Sequence, residues 1–168
     1  YLTYLFSYLY LWTVAPQVWP VDAKTLPELQ WPVLSALLLI AGAALFAAAK
    51  KTLAEPGRKR AATPMLVLFG ALSATAAVAV EVGCQWQAGL RPGSASYGAM
   101  VYMESILTGE LVFAVLIMSL FVIGRHLTGK LDRVRCATLE NTGLLMVYTV
   151  AQALLGLLVI HGFPRMIL

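Results

Sequence analysis

Hydrophobic residues along this chain form long continuous runs rather than alternating with polar ones. Four runs, at residues 31–49, 63–86, 96–123 and 137–162, meet the length of about 20 residues that a helix needs to cross a hydrocarbon core about 30 Å thick. A shorter run covers residues 1–14, and we interpret it as the visible end of a fifth crossing. Continuous runs favour helices over barrel strands. The pattern therefore predicts transmembrane helices over about residues 1–15, 31–50, 63–86, 96–123 and 137–162.

The connectors between these runs are short, which predicts an up-and-down bundle forming a single membrane domain over residues 1–168. Five basic residues lie in the connector 50–62 and four in 124–136, whereas the other two connectors hold one each. Basic loops stay on the cytoplasmic side of a membrane. The predicted fold is thus an all-α integral membrane protein of five helices, with its N-terminus inside and its C-terminus outside.

Composition supports the membrane assignment. Of 168 residues, 60% are hydrophobic and only 12% are charged, and the mean hydropathy is +0.80, whereas about a quarter of the residues in a soluble domain are charged. The formal charge of +4 contains no basic run with interleaved aromatic residues, so nucleic acid is not an expected partner. A soluble globular domain is excluded.

Three carboxylates, Glu81, Glu104 and Glu110, lie inside the predicted spans. A charge at the bilayer centre costs at least about 2.5 to 3.5 kcal/mol, and no lysine, arginine or imidazole is expected beside these acids. We therefore expect neutral carboxyl groups that face the bundle or a partner.

Glu81 and Glu104 lie about 8 and about 12 Å from the outer ends of antiparallel helices. They could share a proton or a polar head group, or they could form a structural link between helices. Glu110 lies on a different face of its helix from Glu104, which predicts a different partner. Glu140 is interpreted as a first-turn acid that complements the helix dipole.

Redox and catalytic sites are not predicted in this chain. The two histidines, His126 and His161, are expected almost a membrane apart, whereas a haem or copper site needs convergent ligands. Cys84 and Cys136 have no neighbouring cysteine or histidine and are expected at opposite membrane faces. Catalytic triads, phosphate loops and dinucleotide-binding glycine motifs are also absent from the sequence. We predict no catalytic, cofactor-binding or metal-binding residue.

The order of several short motifs resembles subunit III of the haem-copper cytochrome c oxidases in its five-helix bacterial form. These motifs are Leu5–Trp12 followed by Trp19-Pro20, then Gln30-Trp31-Pro32, Val80-Glu81-Val82, Ser96-Tyr97-Gly98 and finally Glu140. The sequence departs from the family at 106–111, where only Gly109 of a Gly-Phe-His-Gly-x-His motif remains, and at 146–150, where a histidine and an aspartate are replaced. Glu81 is the residue that transfers most directly, followed by Glu140 and Gly109.

The resemblance implies an accessory, non-redox subunit or domain of an oxidase in an aerobic respiratory chain. It implies a chain without its own catalytic centre that stabilises subunit I, binds phospholipid and supports proton uptake. Haem and copper would lie in the partner subunits I and II, and cytochrome c would be the electron donor. The resemblance also suggests that the region is fused behind subunit I, in a bacterial plasma membrane in preference to the mitochondrial inner membrane.

The alternative function is a small proton-coupled transporter, or half of one, that uses its buried glutamates. Such proteins contain broken helices near the midplane. The third to fifth predicted helices contain no proline between Pro64 and Pro164, which counts against this hypothesis. A haem-bearing electron carrier is disfavoured by the histidine count.

Overall fold

The fold is described from a computed structural model, which covers residues 1–16, 19, 26–55, 61–93 and 95–167. These residues form helices joined by turns and contain no strand. The helices are α1 (Leu2–Val14), α2 (Gln30–Ala54), α3 (Thr63–Gln87), α4 (Ser96–Leu127), α5 (Ala137–Leu157) and α6 (Phe163–Ile167), with a π-helical turn, Leu158–Gly162, between α5 and α6. We call this turn the π-turn.

Among the residues that the structure describes, four helical segments are long and apolar enough to cross a membrane: Gln30–Ala54, Thr63–Gln87, Ser96–Leu127 and Ala137–Met166. The last one combines α5, the π-turn and most of α6. Compared with the predicted bounds, α2 and α4 extend to Ala54 and Leu127 instead of residues 50 and 123. The structure therefore supports an all-helical fold with four candidate spans.

The first helix is shorter than a membrane crossing. With 13 residues and a rise of 1.5 Å per residue, α1 is about 20 Å long, which is less than the hydrocarbon thickness of about 30 Å. The described residues support four candidate spans, and they support neither the predicted fifth span nor the inside-outside orientation.

Sequence signals explain where the long helices begin and end. Pro64 lies in the first turn of α3, where its missing N–H costs no helical hydrogen bond. Gly89 and Gly129 follow α3 and α4 with φ angles of 79° and 69°, a backbone conformation that glycine adopts without the steric cost of a Cβ. The turns after α3 and α4 are thus fixed locally.

Small residues allow α2 and α3 to approach closely. A Cβ placed on Gly42 of α2 would lie 3.0 Å from the carbonyl oxygen of Gly70 in α3. The Ser35 hydroxyl donates to the Ala77 carbonyl at 3.0 Å, and the Ser73 hydroxyl donates to the Leu38 carbonyl at 2.7 Å. Backbone approach and interhelical hydrogen bonds are the interactions that hold helices together in lipid.

Two clusters of buried side chains divide the bundle along its length. The first joins α2, α3, α4 and α5 through aliphatic residues such as Leu39, Val115 and Met146. The second is largely aromatic and attaches α1 to α4 and to the π-turn. In this second cluster, the ring centroids of Tyr8 and Trp19 are 4.9 Å apart, and those of Trp12 and Phe163 are 5.1 Å apart. The polar residues of the candidate site lie beside these clusters, at the level of the π-turn.

Candidate functional site

A buried carboxylate and a buried imidazole form the centre of the candidate site. Oε1 of Glu81, in the penultimate turns of α3, lies 2.6 Å from Nε2 of His161 in the π-turn. The two side chains are 8% and 3% exposed. The expectation that no imidazole lies near the membrane acids was therefore wrong. The spacing along the helices predicts how deep each side chain lies in the membrane. It does not predict that His161 faces Glu81, because that orientation depends on the π-turn.

Two further polar side chains extend this pair to α4. The side-chain amide of Gln85 donates to Glu81 Oε1 at 2.8 Å and to the Ser105 hydroxyl at 3.0 Å. Gln85 is fully buried and Ser105 nearly so. Because buried polar groups need hydrogen-bond partners, these contacts hold Glu81 in one position and connect three helices.

Glu104 occupies a separate position on α4. The Thr108 hydroxyl donates to Glu104 Oε1 at 3.2 Å, and the carboxyl group lies directly against the backbone of Gly156 in α5. A Cβ built on Gly156 would be 1.9 Å from Glu104 Oε1. The absence of a side chain at Gly156 is thus what admits the Glu104 carboxyl group between α4 and α5.

Glu81 and Glu104 line the same small cavity, together with Ser35, Ser105 and Thr108. Its volume of about 20 Å³ exceeds the roughly 10–15 Å³ that one water molecule requires. The Oε2 atoms of Glu81 and Glu104 are buried, and neither has a hydrogen-bond partner among the described residues. The two acids therefore share a cavity without a direct hydrogen bond between them.

The other two acids singled out from the sequence lie elsewhere. Glu110 is exposed on the surface of α4. Glu140 lies in the first turn of α5, where its carboxylate is 2.7 Å from the Lys50 ammonium group of α2. Glu140 thus links two helix ends, in addition to any interaction with the helix dipole.

Metal ligation is not indicated by this geometry. Over the described part of the chain, no three His, Cys, Asp or Glu side chains come close enough to hold a metal ion. Cys84 and Cys136 are both free thiols. A carboxyl–imidazole pair beside a second carboxyl group can instead bind, share and release protons.

Sequence reasoning missed five members of the site: His161, Gln85, Ser105, Thr108 and Ser35. Gln85 could have been found, because residues four apart on a helix are neighbours and it follows Glu81 at that spacing. His161 had no comparable signal, since its direction depends on the π-turn.

Comparison with known proteins returns no match: no family model, no curated protein and no solved structure resembles the chain significantly. None of these comparisons identifies an oxidase subunit III, so that resemblance rests on the short sequence motifs alone.

Proposed function

We propose that this chain is an accessory, non-redox part of a haem-copper cytochrome c oxidase, in which the pair formed by Glu81 and His161 holds a proton. The observation that carries the proposal is the 2.6 Å contact between these two buried groups. An acid at this position is what the resemblance to subunit III implies. A buried imidazole hydrogen-bonded to a carboxyl group suits the binding and sharing of a proton.

Glu104 gives the proposed site a second proton-binding group. It lines the same water-sized cavity as Glu81, and one water molecule there could hydrogen-bond to both carboxyl groups. A proton could pass between the acids through such a water. In an oxidase, this exchange would support proton uptake by subunit I.

The remaining parts of the proposal follow from the sequence. The connectors rich in basic residues would face the cytoplasm of a bacterium, and α1 would be a fifth membrane helix. The chain would stabilise subunit I, either as a separate subunit or fused to it, and would bind phospholipid. Subunits I and II would carry haem and copper and receive electrons from cytochrome c.

The first test identifies the assembly. We expect the complex purified from native membranes through a tag on this chain to contain stoichiometric haem and copper, in the same polypeptide or in a co-purifying one, when examined by mass spectrometry and absorbance. An assembly without haem would refute the oxidase assignment.

The second test concerns Glu81 within that assembly. We expect Glu81→Ala to accelerate loss of activity during turnover or to reduce the amount of bound phospholipid, while the haem absorbance stays unchanged. Glu140→Ala is the matched control, because it removes a carboxyl group that lies outside the buried site. Loss of haem from the Glu81 variant, or equal effects of both substitutions, would contradict the proposed role.

The second candidate function is proton-coupled transport, and the π-turn favours it. Such turns occur frequently at functional sites, and this one carries the ionisable His161 inside a candidate span. The purified chain and its Glu81→Gln variant, reconstituted in vesicles with an internal pH-sensitive dye, separate the two functions. Transport predicts faster decay of a pH gradient with the unmodified chain in the absence of haem proteins, whereas an accessory role predicts equal decay.

A further inference from the structure

Glu110 lies deep in α4, far from both ends of the helix. It follows Ser96 by 14 residues and precedes Leu127 by 17, which correspond to about 21 and about 26 Å along the helix axis. A glutamate side chain extends only a few ångströms, so when α4 is centred in a hydrocarbon core about 30 Å thick this carboxyl group stays inside the core. Any compensating group must come to it within the hydrocarbon layer.

The surface around Glu110 is apolar. Ile106 and Phe113, four residues before and three after it on the same helical face, are 54% and 63% exposed. Glu110 itself is exposed, and the described residues supply it with no hydrogen bond or ion pair. A carboxyl group in contact with acyl chains is costly, and ionisable residues in spans are almost always paired or face protein.

A groove between α3 and α4 lies beside the face that carries Glu110 and shares Phe113 with that face. It has a volume of about 310 Å³, and its lining combines the small residues Thr75, Ala79 and Gly109 with larger side chains that include Val112, Phe113 and Leu116. Gly109 and Phe113 lie one and three residues from Glu110 on α4. Small residues at a membrane-facing surface allow another helix to approach closely.

We infer that this α3–α4 face binds a transmembrane helix of a partner chain, and that this helix carries a lysine, arginine or histidine that pairs with Glu110. Charge complementarity favours a basic residue on the occupant, because none of the described residues offers Glu110 a cation. Lipid head groups stay at the interface and do not reach this depth. A second copy of the chain would place a carboxyl group, not a cation, opposite Glu110.

This inference goes beyond the proposed function. Glu110 follows Glu104 by six residues, which places the two side chains about 120° apart around the helix. The face of Glu110 is therefore separate from the buried cavity. It would need a partner whether or not the chain belongs to an oxidase.

The test uses the intact assembly in native membranes. A photo-reactive benzoylphenylalanine replaces Phe113, and a control replaces Leu37, which is 58% exposed on α2. The cross-linked peptides are mapped by mass spectrometry. We expect position 113 to label a transmembrane segment of another chain that has a lysine, arginine or histidine within one turn of the labelled residue, and position 37 not to label that segment.

Substitutions of Glu110 provide the second measurement. We expect Glu110→Leu to reduce the amount of labelled partner retained through purification by roughly three- to tenfold, the range expected for one interhelical polar contact in a membrane. Glu110→Gln keeps hydrogen-bonding capacity and should retain an intermediate amount. The inference is overturned if position 113 labels only lipid, a second copy of this chain or a segment without a basic residue, or if Glu110→Leu retains the partner fully.

Discussion

Gly156→Ala provides the most direct test of how the candidate site is packed. The new methyl group would lie 1.9 Å from Oε1, 2.3 Å from Cδ and 2.9 Å from Cγ of Glu104. These separations are far below van der Waals contact, so the Glu104 side chain must move. It is 3% exposed and hydrogen-bonded to Thr108, so moving it disturbs the interface between α4 and α5.

The expected cost is that of overpacking a buried site. We expect Gly156→Ala to lower the free energy of unfolding by about 1 to 3 kcal/mol. Gly143→Ala, in the same helix, is the matched control because a Cβ there meets no atom within 4 Å. That control should be neutral or stabilising by up to about 1 kcal/mol, since alanine favours helix over glycine.

A double-mutant cycle separates this clash from other effects of the new methyl group. Glu104→Ala removes the atoms that Gly156→Ala would strike, so the double variant should recover much of the loss, with a coupling of about 0.5 to 3 kcal/mol. Unfolding by sodium dodecyl sulfate in mixed micelles, followed by near-ultraviolet circular dichroism, measures all four proteins. Additive effects, or equal effects of Gly156→Ala and Gly143→Ala, would refute the packing described here.

Three further predictions concern other parts of the chain. The backbone and side-chain N–H groups of Arg135 lower the pKa of Asp132 to about 2. The ionised carboxylate holds its loop in an ordered conformation, so this order is fully present above pH 3.8, the ordinary pKa of aspartate, and is lost as the pH falls through about 2. Amide exchange at Arg135, corrected for its intrinsic rate, should therefore rise over that interval. Tyr97→Phe removes a 2.6 Å hydrogen bond to the Ile160 carbonyl and should lower the free energy of unfolding by about 0.5 to 1.5 kcal/mol in the micelle assay. Lys50→Ala breaks an exposed ion pair and should leave the unfolding midpoint unchanged, because exposed pairs contribute little.

The long helices could be predicted because a continuous apolar run of 20 or more residues is typical of a membrane-spanning helix and of few other structures. Helix ends were less predictable: α2 includes Lys50 and continues to Ala54, since a basic residue near a C-terminus is compatible with helix. The run that starts at Tyr1 predicts the visible end of a fifth crossing; its helix, Leu2–Val14, is not among the candidate spans. Hydrophobicity indicates burial in lipid or protein alike, and α1 packs its tyrosines against α4 and the π-turn.

The sequence predicts how deep the acids of the candidate site lie along their helices, but not which neighbouring helix each side chain faces. A rise of 1.5 Å per residue places Glu81 and Glu104 at similar depths, and the structure brings both to one cavity. Helical periodicity also separates Glu110 from Glu104, but it does not reveal which face other helices cover. His161 could not be assigned to Glu81 because regular α-helical spacing fails at the π-turn.

The π-turn also sets the rotational phase of everything that follows it. Arg165 donates to the carbonyl groups of His161 and Pro27 and thereby ties the C-terminal helix to the segment before α2. Converting residues 158–162 to regular α-helix without changing their number would turn the downstream residues by about 100°, because the π-turn holds one more residue per turn. The imidazole would then leave the acid and the guanidinium would leave Pro27 together, so the helix type of these five residues acts on the interior and on the rim of the bundle at once.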